Sequence, residues 1–199
     1  MSAAPQLRHA QRRRRAEVLS VAAELFSEQG YEATSTTEIA ERLGIKGGSV
    51  YYYIDSKEAL LFELVEDIYG ILLERLHEVL ASDDDPLTKL RRLIELHVAG
   101  MASHRHRGAL ILNETRSLSP EHRAVTARHE AAYEDGLATV LVDGQRCGLL
   151  DPSLDPKLVT KALLGAGNWV NRWYRDGGGW SPEDVSDGFA RIFLSGLEA

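Results

Sequence analysis

The segment GGSVYYYIDSK, residues 47–57, places hydroxyl groups and a cation close together on a short stretch of chain. The hydroxyls of Ser49 and of three consecutive tyrosines can exchange hydrogen bonds with phosphate oxygens or with the polar edges of bases. Gly47 and Gly48 precede them, and glycine lets another molecule approach the backbone closely. The same glycines can also serve only as caps at the start of a helix, so both interpretations stay open.

Lys57 begins a long apolar segment with helical spacing. A cation in the first turn of a helix is mildly unfavourable, because that end of the helix dipole is positive. A bound phosphate would reverse the sign of this effect, whereas Asp55 and Glu58 offer neutralisation from within the chain. Lys57 is therefore a candidate phosphate ligand, with local neutralisation as the alternative.

Directly upstream, the sequence predicts a short helix followed by a turn. Ser35 and Glu38 have the spacing of a capping box, and apolar residues follow at positions 39, 40 and 43. Gly44 tolerates positive φ, and a second short helix begins soon after it. Val50 and Ile54 lie four residues apart, so they can pack against the first helix while the tyrosines project elsewhere. This pattern is typical of a helix-turn-helix, whose second helix enters the major groove of DNA.

Helical periodicity continues along the rest of the chain, and no alternating run predicts a strand. Four Ser-Pro or Asp-Pro pairs mark helix starts, because the first residue caps the helix and proline fits its first turn. These pairs are Asp85-Pro86, Ser119-Pro120, Asp155-Pro156 and Ser181-Pro182. The sequence therefore predicts an all-α protein with about nine helices, at residues 12–29, 36–43, 47–53, 56–81, 86–103, 105–116, 119–146, 156–175 and 182–197.

Charge is distributed unevenly along the chain. Residues 1–60 hold equal numbers of basic and acidic residues, whereas residues 61–199 account for the whole net charge of -7. Arg8 and Arg12–Arg15 precede the first acidic residue, Glu17, and form a basic arm. The overall acidity disfavours indiscriminate binding to nucleic acid, while the arm can add affinity that does not depend on base sequence.

Other classes of protein are disfavoured by what the sequence lacks. No apolar run approaches the length of a membrane span, and the N-terminus has no secretory signal pattern, so the cytoplasm is the expected location. Cys147 is the single cysteine, and His104 and His106 alternate with arginines, which disfavours a metal site. No nucleophile elbow, phosphate-binding loop or zinc motif is present, so we expect neither an enzyme nor a cofactor.

Two helices in the second part contain candidate pocket residues. On the helix predicted from residue 86, His97, Met101 and His104 continue an apolar stripe and are predicted to face inward. The segment ALILNETR ends in polar residues, among which Asn113 is a further candidate. A place in the core or in a surface polar cluster is the alternative for each of them.

The run LLGAGNWVNRWYRDGGGW, residues 163–180, divides into two helical faces. Trp169 and Trp173 fall on one face, and Asn168 and Arg172 fall on another. These side chains can line a binding pocket. The alternative for the tryptophans is a place in the core or in a subunit interface.

Residues 16–64 closely resemble the DNA-binding domain of the TetR family of bacterial transcription regulators. The match proceeds in order through LFSEQGYEAT, TTEIAERLG, SVYYY and SKEALL. The resemblance implies base-edge contacts from Lys46, Gly47, Gly48 and Tyr51, and phosphate contacts from Ser35, Thr36, Ser49, Tyr52, Tyr53 and Lys57. The chain departs from the family pattern at Ile54, where phenylalanine is usual, and in the glycine pair, which removes side chains that would read bases.

The resemblance also implies a division into a basic arm and DNA-binding domain, residues 1–60, and a helical domain for effector binding and dimerisation, residues 61–199. The homodimer would form through the last two helices. The NW(x)₃WY run is similar to the corresponding helix of TetR-type regulators of fatty-acid and sterol breakdown, which respond to acyl-CoA thioesters. Arg172 and Arg175 would then pair with CoA phosphates.

Together these observations predict a ligand-responsive repressor that binds a pseudo-palindromic operator as a dimer and is released by a small apolar effector, with an acyl-CoA as one candidate. A TetR-type regulator of drug efflux that senses a hydrophobic or aromatic drug is the alternative. A helical enzyme or a protein-binding module without DNA binding is a more remote one. The sequence does not specify the operator, the effector, the regulated genes, or repression as opposed to activation.

Overall fold

A computed structural model describes residues 4–197, with side chains from residue 13 onward. Within these residues the chain is helical and contains no β-strand, which confirms the all-α prediction. None of the described helices is long and apolar enough to cross a membrane. The elements in order are α1 (Ala4–Gln29), α2 (Thr36–Arg42), a 3-10 helix (Gly47–Tyr52), α3 (Lys57–Leu80), α4 (Pro86–Ser103), α5 (Arg105–Ala109), a π-helical turn (Leu110–Glu114), a 3-10 turn (Thr115–Ser117), α6 (Pro120–Arg146), α7 (Pro156–Trp173) and α8 (Pro182–Leu197).

The four predicted proline-marked helix starts are all present and capped. The Asp85 carboxylate accepts hydrogen bonds from the backbone N–H groups of Leu87 and Thr88, at 2.9 and 3.1 Å. Equivalent bonds at the other three starts join Ser119 to His122, Asp155 to Leu158 and Ser181 to Asp184. Each cap satisfies N–H groups that have no partner within their own helix.

Four predicted features differ from the structure. Helix α1 begins at Ala4, so the basic arm continues this helix instead of preceding it. The helix predicted at 47–53 is a 3-10 helix, and the one predicted at 105–116 is divided into α, π and 3-10 turns. His104 does not face inward, because it caps the end of α4 with φ -120° and leaves the helical register there, which exposes its side chain.

The first of two compact units contains the residues up to Ile68 together with Ala109–Thr126. Its interior is apolar and includes α1, α2, the first turns of α3 and the 3-10 helix. Among the most deeply buried side chains are Leu25, Phe26, Ile39, Val50, Leu61, Leu110 and Leu118. Residues far apart in sequence therefore share one core.

The second unit contains Tyr69–Gly108 and the chain from Ala127 onward. One apolar cluster forms its core and draws on the second half of α3 and on α4, α6, α7 and α8. Its fully buried members include Leu90, Ile94, Val98, Leu137, Val170 and Ala190. The division between units falls inside α3, α5 and α6, whereas the domain boundary near residue 60 stays a prediction.

Candidate DNA-binding surface and effector-binding core

Ser35 and Thr36 lie at the start of α2, at the surface of the first unit. Ser35 is the N-cap of this helix, and its hydroxyl oxygen accepts a hydrogen bond from the backbone N–H of Glu38 at 3.1 Å. The hydroxyl proton of Ser35 therefore remains able to donate to another molecule. Thr36 follows as the first residue of the helix, where backbone N–H groups and the positive end of the helix dipole favour an anion.

The turn after α2 leads into the 3-10 helix, at the place where the sequence predicted a second short helix. Gly44 has φ +67°, and the N–H of Ile45 returns to the carbonyl of Ala40 at 2.9 Å. Val50 on the 3-10 helix that follows is fully buried, and Ile54, two residues after the end of this helix, is nearly so. The packing prediction for these two residues is confirmed, and isoleucine fills the position where the family usually has phenylalanine.

The opposite side of the 3-10 helix exposes two large aromatic side chains. Tyr51 is 57% exposed and Tyr52 is 70% exposed, and Ser49 and Lys46 are exposed beside them. The hydroxyls of Tyr51 and Thr36 lie 3.0 Å apart and share a hydrogen bond, so the 3-10 helix and α2 present their polar groups together. The ring of Tyr53 contacts that of Tyr52 edge to face, at 5.1 Å between centroids, and Tyr53 is only partly exposed.

Gly47 and Gly48 are not required by the fold. Neither has positive φ, so alanine could adopt either backbone conformation. A Cβ atom at Gly48 would meet nothing within 4 Å, and one at Gly47 would lie 3.7 Å from the Thr37 side chain, an ordinary contact. Glycine costs about 0.5–1 kcal/mol relative to alanine in a helix, and nothing within the described residues offsets that cost.

Lys57 contacts the chain itself. Its ammonium donates to the backbone carbonyls of Tyr31 and Thr34, both at 2.9 Å, and lies 4.2 Å from the centroid of the Tyr31 ring. The resemblance implied a phosphate contact here, and the local alternative involved Asp55 and Glu58. Neither anticipated the two carbonyl oxygens.

The described arginines of the basic arm are held by neighbouring groups. Arg13 is the most exposed, at 83%, and lies 3.7 Å from the Glu17 carboxylate. Arg14 donates to the carbonyl of Leu43 at 3.1 Å, and Arg15 pairs with the carboxylate of Glu63 on α3. The side chains of Arg8 and Arg12 lie outside the described ones. Arg14 and Arg15 thus fasten α1 to its neighbours, and Arg13 is the most available to another molecule.

A second polar cluster joins the first turn of α3 to the start of α6. Oε1 of Glu58 accepts hydrogen bonds from the backbone N–H of Ser119 at 2.8 Å and from Nδ1 of His122 at 2.7 Å. The His122 ring stacks on that of Phe62, with centroids 3.8 Å apart. Burial raises the pKa of Glu58, but the hydrogen bonds from Ser119 and His122 outweigh this effect and lower the pKa below its ordinary value.

The core of the second unit contains His97, as predicted from its place on an apolar stripe. Its side chain is buried against α7, where a Cβ atom at Gly167 would lie 2.5 Å from Cδ2 of the imidazole. Nδ1 lies 3.5 Å from the hydroxyl of Tyr133. Burial lowers the pKa of His97 to about 4, although polar groups of Asn168 and Leu164 partly oppose this effect. The imidazole is therefore neutral at physiological pH.

Met101 borders a neighbouring polar contact that the sequence did not reveal. The buried side chain of Asn171 donates to the carbonyl of Arg105 at 2.8 Å, and the Arg105 guanidinium donates back to the carbonyl of Asn171 at 3.4 Å. Gly108 lies close to the side chains of Asn171 and Met101, because a Cβ atom at Gly108 would be 2.9 Å from both Nδ2 of Asn171 and the sulfur of Met101. Asn171 lies three residues after Asn168, a spacing that could have identified it.

Asn168 lies beside His97, but the remaining predicted pocket residues do not join His97 and Met101. Trp169 is 62% exposed, with the Arg172 guanidinium 6.0 Å from its ring, whereas Trp173 packs partly against the core. The two tryptophans lie four residues apart on one helix, as predicted, but they differ in burial. Asn113 is exposed and belongs to the first unit, and Arg175 donates to backbone carbonyls of its own loop.

A surface groove of ≈ 700 Å³ opens in the second unit. Its lining combines apolar side chains with charged side chains of both signs. Lining residues include Arg75, Glu78, Leu96, Gly100 and Arg107. His104 lines this groove, whereas His97 and Met101 do not, because the groove lies on the face of α4 that turns away from them.

Comparison with known proteins agrees with this architecture. Residues 18–64 match the family described as bacterial regulatory proteins, tetR family, and residues 83–197 match a tetracyclin repressor-like C-terminal domain. The HTH-type transcriptional repressor KstR2 of Mycolicibacterium smegmatis is 32% identical over 188 residues, which cover 92% of this chain and 90% of the relative.

Two solved structures have the same fold. The ketosteroid transcriptional regulator KstR2 of Mycobacterium tuberculosis is 28% identical with a TM-score of 0.88, over 94% of this chain and 95% of the other. AibR, solved in complex with isovaleryl coenzyme A and operator DNA, is 26% identical with a TM-score of 0.82, over 90% and 97%. The chain therefore belongs to the TetR family of helix-turn-helix transcription regulators.

Proposed function

We propose that this regulator is a repressor that binds a pseudo-palindromic operator as a homodimer and is released by a small, largely apolar effector. The observation that carries the DNA-binding part is the exposure of Tyr51 and Tyr52 on a 3-10 helix whose other side is fixed by buried Val50. Such exposure of large aromatic side chains costs apolar burial, which contact with a duplex would restore. The proteins it regulates would then be encoded near the operator, and the regulator itself would act in the cytoplasm.

The proposed contacts follow the two roles predicted from the resemblance. Tyr51, Lys46 and the backbone at the glycine pair would face base edges in the major groove. Phosphate oxygens would be bound by the hydroxyls of Ser35, Thr36, Ser49, Tyr52 and Tyr53. We also retain residues 1–60 as the DNA-binding domain and residues 61–199 as the effector and dimerisation domain.

The proposed dimer forms through α7 and α8. Both helices leave large apolar side chains in solvent, namely Leu158 on α7 and Ile192 on α8, each more than 60% exposed. Glycine and serine flank Ile192 in a shallow depression formed by Gly188 and Ser195. Small residues beside a large apolar one favour close packing of a second copy, and two-fold symmetry would place two recognition helices one turn of DNA apart, roughly 34–36 Å.

An acyl-CoA is the proposed effector. AibR supports this choice, since it was solved with isovaleryl coenzyme A. The acyl group would enter the core beside His97, Met101 and Asn168, displacing their present packing, while Trp169, Arg172 and Trp173 would contact the CoA portion. Asn113 is also retained as a proposed effector contact, although the described contacts do not connect it with these residues.

The regulator would have two conformations, one that binds the operator and one that does not. For the effector to release the operator, it must bind the second conformation more tightly than the first. This is tested by fluorescence anisotropy with promoter fragments from around the gene and with random duplexes of equal length. We expect a preference for one promoter fragment that is lost when acyl-CoAs are added, with free CoA as the matched control.

Two other outcomes would change the conclusion. Release by aromatic drugs and not by acyl-CoAs would favour the efflux regulator. Equal affinity for all fragments, with and without effectors, would refute operator binding altogether.

A further inference from the structure

The imidazole of His97 has one nitrogen, Nε2, that the surrounding protein leaves without a hydrogen bond. His97 is 4% exposed, and Nε2 itself is buried. No polar atom among the described residues meets hydrogen-bond geometry with Nε2, although Asn168 and Leu164 lie close enough to affect the pKa of the ring. Buried polar atoms of native proteins almost always have partners, because an unpaired one loses its hydrogen bonds to water without replacement. The packing of the core alone does not explain why a histidine stands here.

The other ring nitrogen indicates which tautomer is present. Nδ1 lies 3.5 Å from the hydroxyl of Tyr133, which is buried and has no other hydrogen-bond partner in the part of the chain that the structure describes. If Nδ1 carried the proton, the Tyr133 proton and the lone pair of Nε2 would both be buried without partners. If the hydroxyl donates to Nδ1, the N–H at Nε2 is the one group of the pair left unpaired. The second arrangement leaves fewer unsatisfied groups, so Nε2 is a donor that requires an acceptor.

The edge of the ring that carries Nε2 faces α7 at Gly167. A Cβ atom at Gly167 would lie 3.0 Å from Nε2 and 3.6 Å from the side chain of Val98, so glycine keeps this edge free of a further side chain. Met101 follows one turn later on α4, and its unbranched thioether adapts readily to the shape of a bound molecule. Val98 and Met101 both belong to the apolar core cluster of the second unit. An acceptor that reaches Nε2 must therefore arrive attached to an apolar group.

We propose that Nε2 of His97 donates a hydrogen bond to the thioester carbonyl oxygen of the acyl-CoA effector. The regulator would then recognise the thioester as well as the acyl chain. This inference rests on the proposed function and adds a chemical requirement to it. The thioester carbonyl is the polar group of an acyl-CoA nearest to the acyl chain, so it is the acceptor that enters an apolar core together with that chain. A site with a buried donor disfavours a ligand that lacks the matching acceptor, because the donor then stays unpaired.

The test compares thioesters with thioethers that differ from them only by the carbonyl oxygen. The probes are butyryl-, octanoyl- and cyclohexanecarbonyl-CoA, paired with S-butyl-, S-octyl- and S-cyclohexylmethyl-CoA, and binding to the full-length protein is measured by isothermal titration calorimetry. We expect the tightest-binding thioester to bind wild type about 10-fold more tightly than its thioether. In His97→Leu this ratio should fall to about 1, because leucine cannot donate. The matched control is Met101→Leu, which conserves volume in the same region and should change both affinities while keeping the ratio.

Each outcome bears on a different claim. Equal affinity of wild type for thioester and thioether would overturn the proposal, and so would an undiminished ratio in His97→Leu. In both cases, release of the operator by acyl-CoAs would still support the proposed function. Absence of binding by all three thioesters would refute the acyl-CoA effector and this inference together, and it would leave operator binding standing.

A second measurement requires neither a folded variant nor DNA. Nitrogen NMR of the isotope-labelled wild-type protein at neutral pH reports which imidazole nitrogen carries the proton. We expect the proton of His97 at Nε2, and we expect its resonance to move downfield when the thioester is added but not when the thioether is added. A proton at Nδ1 in the free protein would overturn the proposal, whichever effector releases the operator.

Discussion

The buried imidazole of His97 makes the stability of the protein depend on pH in a predictable direction. Burial lowers its pKa from 6.5 to about 4, so the unfolded chain binds a proton at a pH where the folded chain does not. Stability from this group is therefore complete above pH 6.5 and is lost as the pH falls towards 4. Over the whole interval the loss amounts to about 3 kcal/mol, and between pH 7.5 and pH 5 to about 2 kcal/mol.

The assay is urea unfolding of wild type and His97→Asn at about pH 7.5 and pH 5, at one fixed concentration of protein because a dimer's stability depends on concentration. Asparagine cannot gain a proton, so its variant lacks this contribution. The carboxylates are the same in both proteins, so their contributions cancel in the comparison. His77→Asn, in the last turn of α3 at an exposed position, is the matched control.

We expect the difference in unfolding free energy between wild type and His97→Asn to shrink by about 2 kcal/mol at the lower pH. The corresponding difference for His77→Asn should not change to this extent. Parallel pH dependence of wild type and His97→Asn would refute the reasoning, because the imidazole would then be equally easy to protonate in both states.

Three further predictions concern the proposed surfaces. Gly48→Ala should raise the unfolding free energy by about 0.5–1 kcal/mol and yet weaken operator binding. The control Gly70→Ala, at an open position in α3, should stabilise the protein without affecting operator binding. If both variants changed operator affinity equally, close approach of DNA at the glycine pair would be contradicted. Tyr51→Phe removes the hydrogen bond to Thr36 and should reduce discrimination between the operator and its single-base variants by about 1 kcal/mol, as measured by competition anisotropy. Unchanged discrimination would show that Tyr51 does not contact base edges. Ile192→Lys should shift the protein towards monomer in sedimentation analysis, and an unchanged dimer would exclude this part of α8 from the interface.

Local interactions explain which parts of the fold were predictable. The proline-marked caps and the Ser35–Glu38 spacing act within a few residues, so the sequence displays both partners together. Val50 and Ile54 were also predictable, because burial of one helical face produces a repeat that can be read directly. The end of α4 at residue 103 was predicted as well, but the orientation of His104 was not, since the apolar stripe continues through His104 after the helix itself has stopped.

Long-range partners explain what the sequence did not show. Lys57 lies 26 and 23 residues from the carbonyls it binds, and backbone carbonyls have no residue type that could identify them. Asn171 likewise binds a carbonyl 66 residues away. The exposure of Trp169 depends on which side of α7 packs against the core. The sequence predicted one face with the tryptophans and another with polar residues, and this division alone did not determine which side packs inward.

The noncontiguous make-up of the first unit constrains the engineering of hybrid sensors from this protein. Grafting residues 1–68 alone onto a foreign effector module would leave the Glu58 carboxylate without Ser119 and His122, and Phe62 without its stacked ring. A DNA-binding unit that is to be transferred must therefore include residues 109–126. Otherwise the effector module that receives it must supply equivalent partners for Glu58 and Phe62.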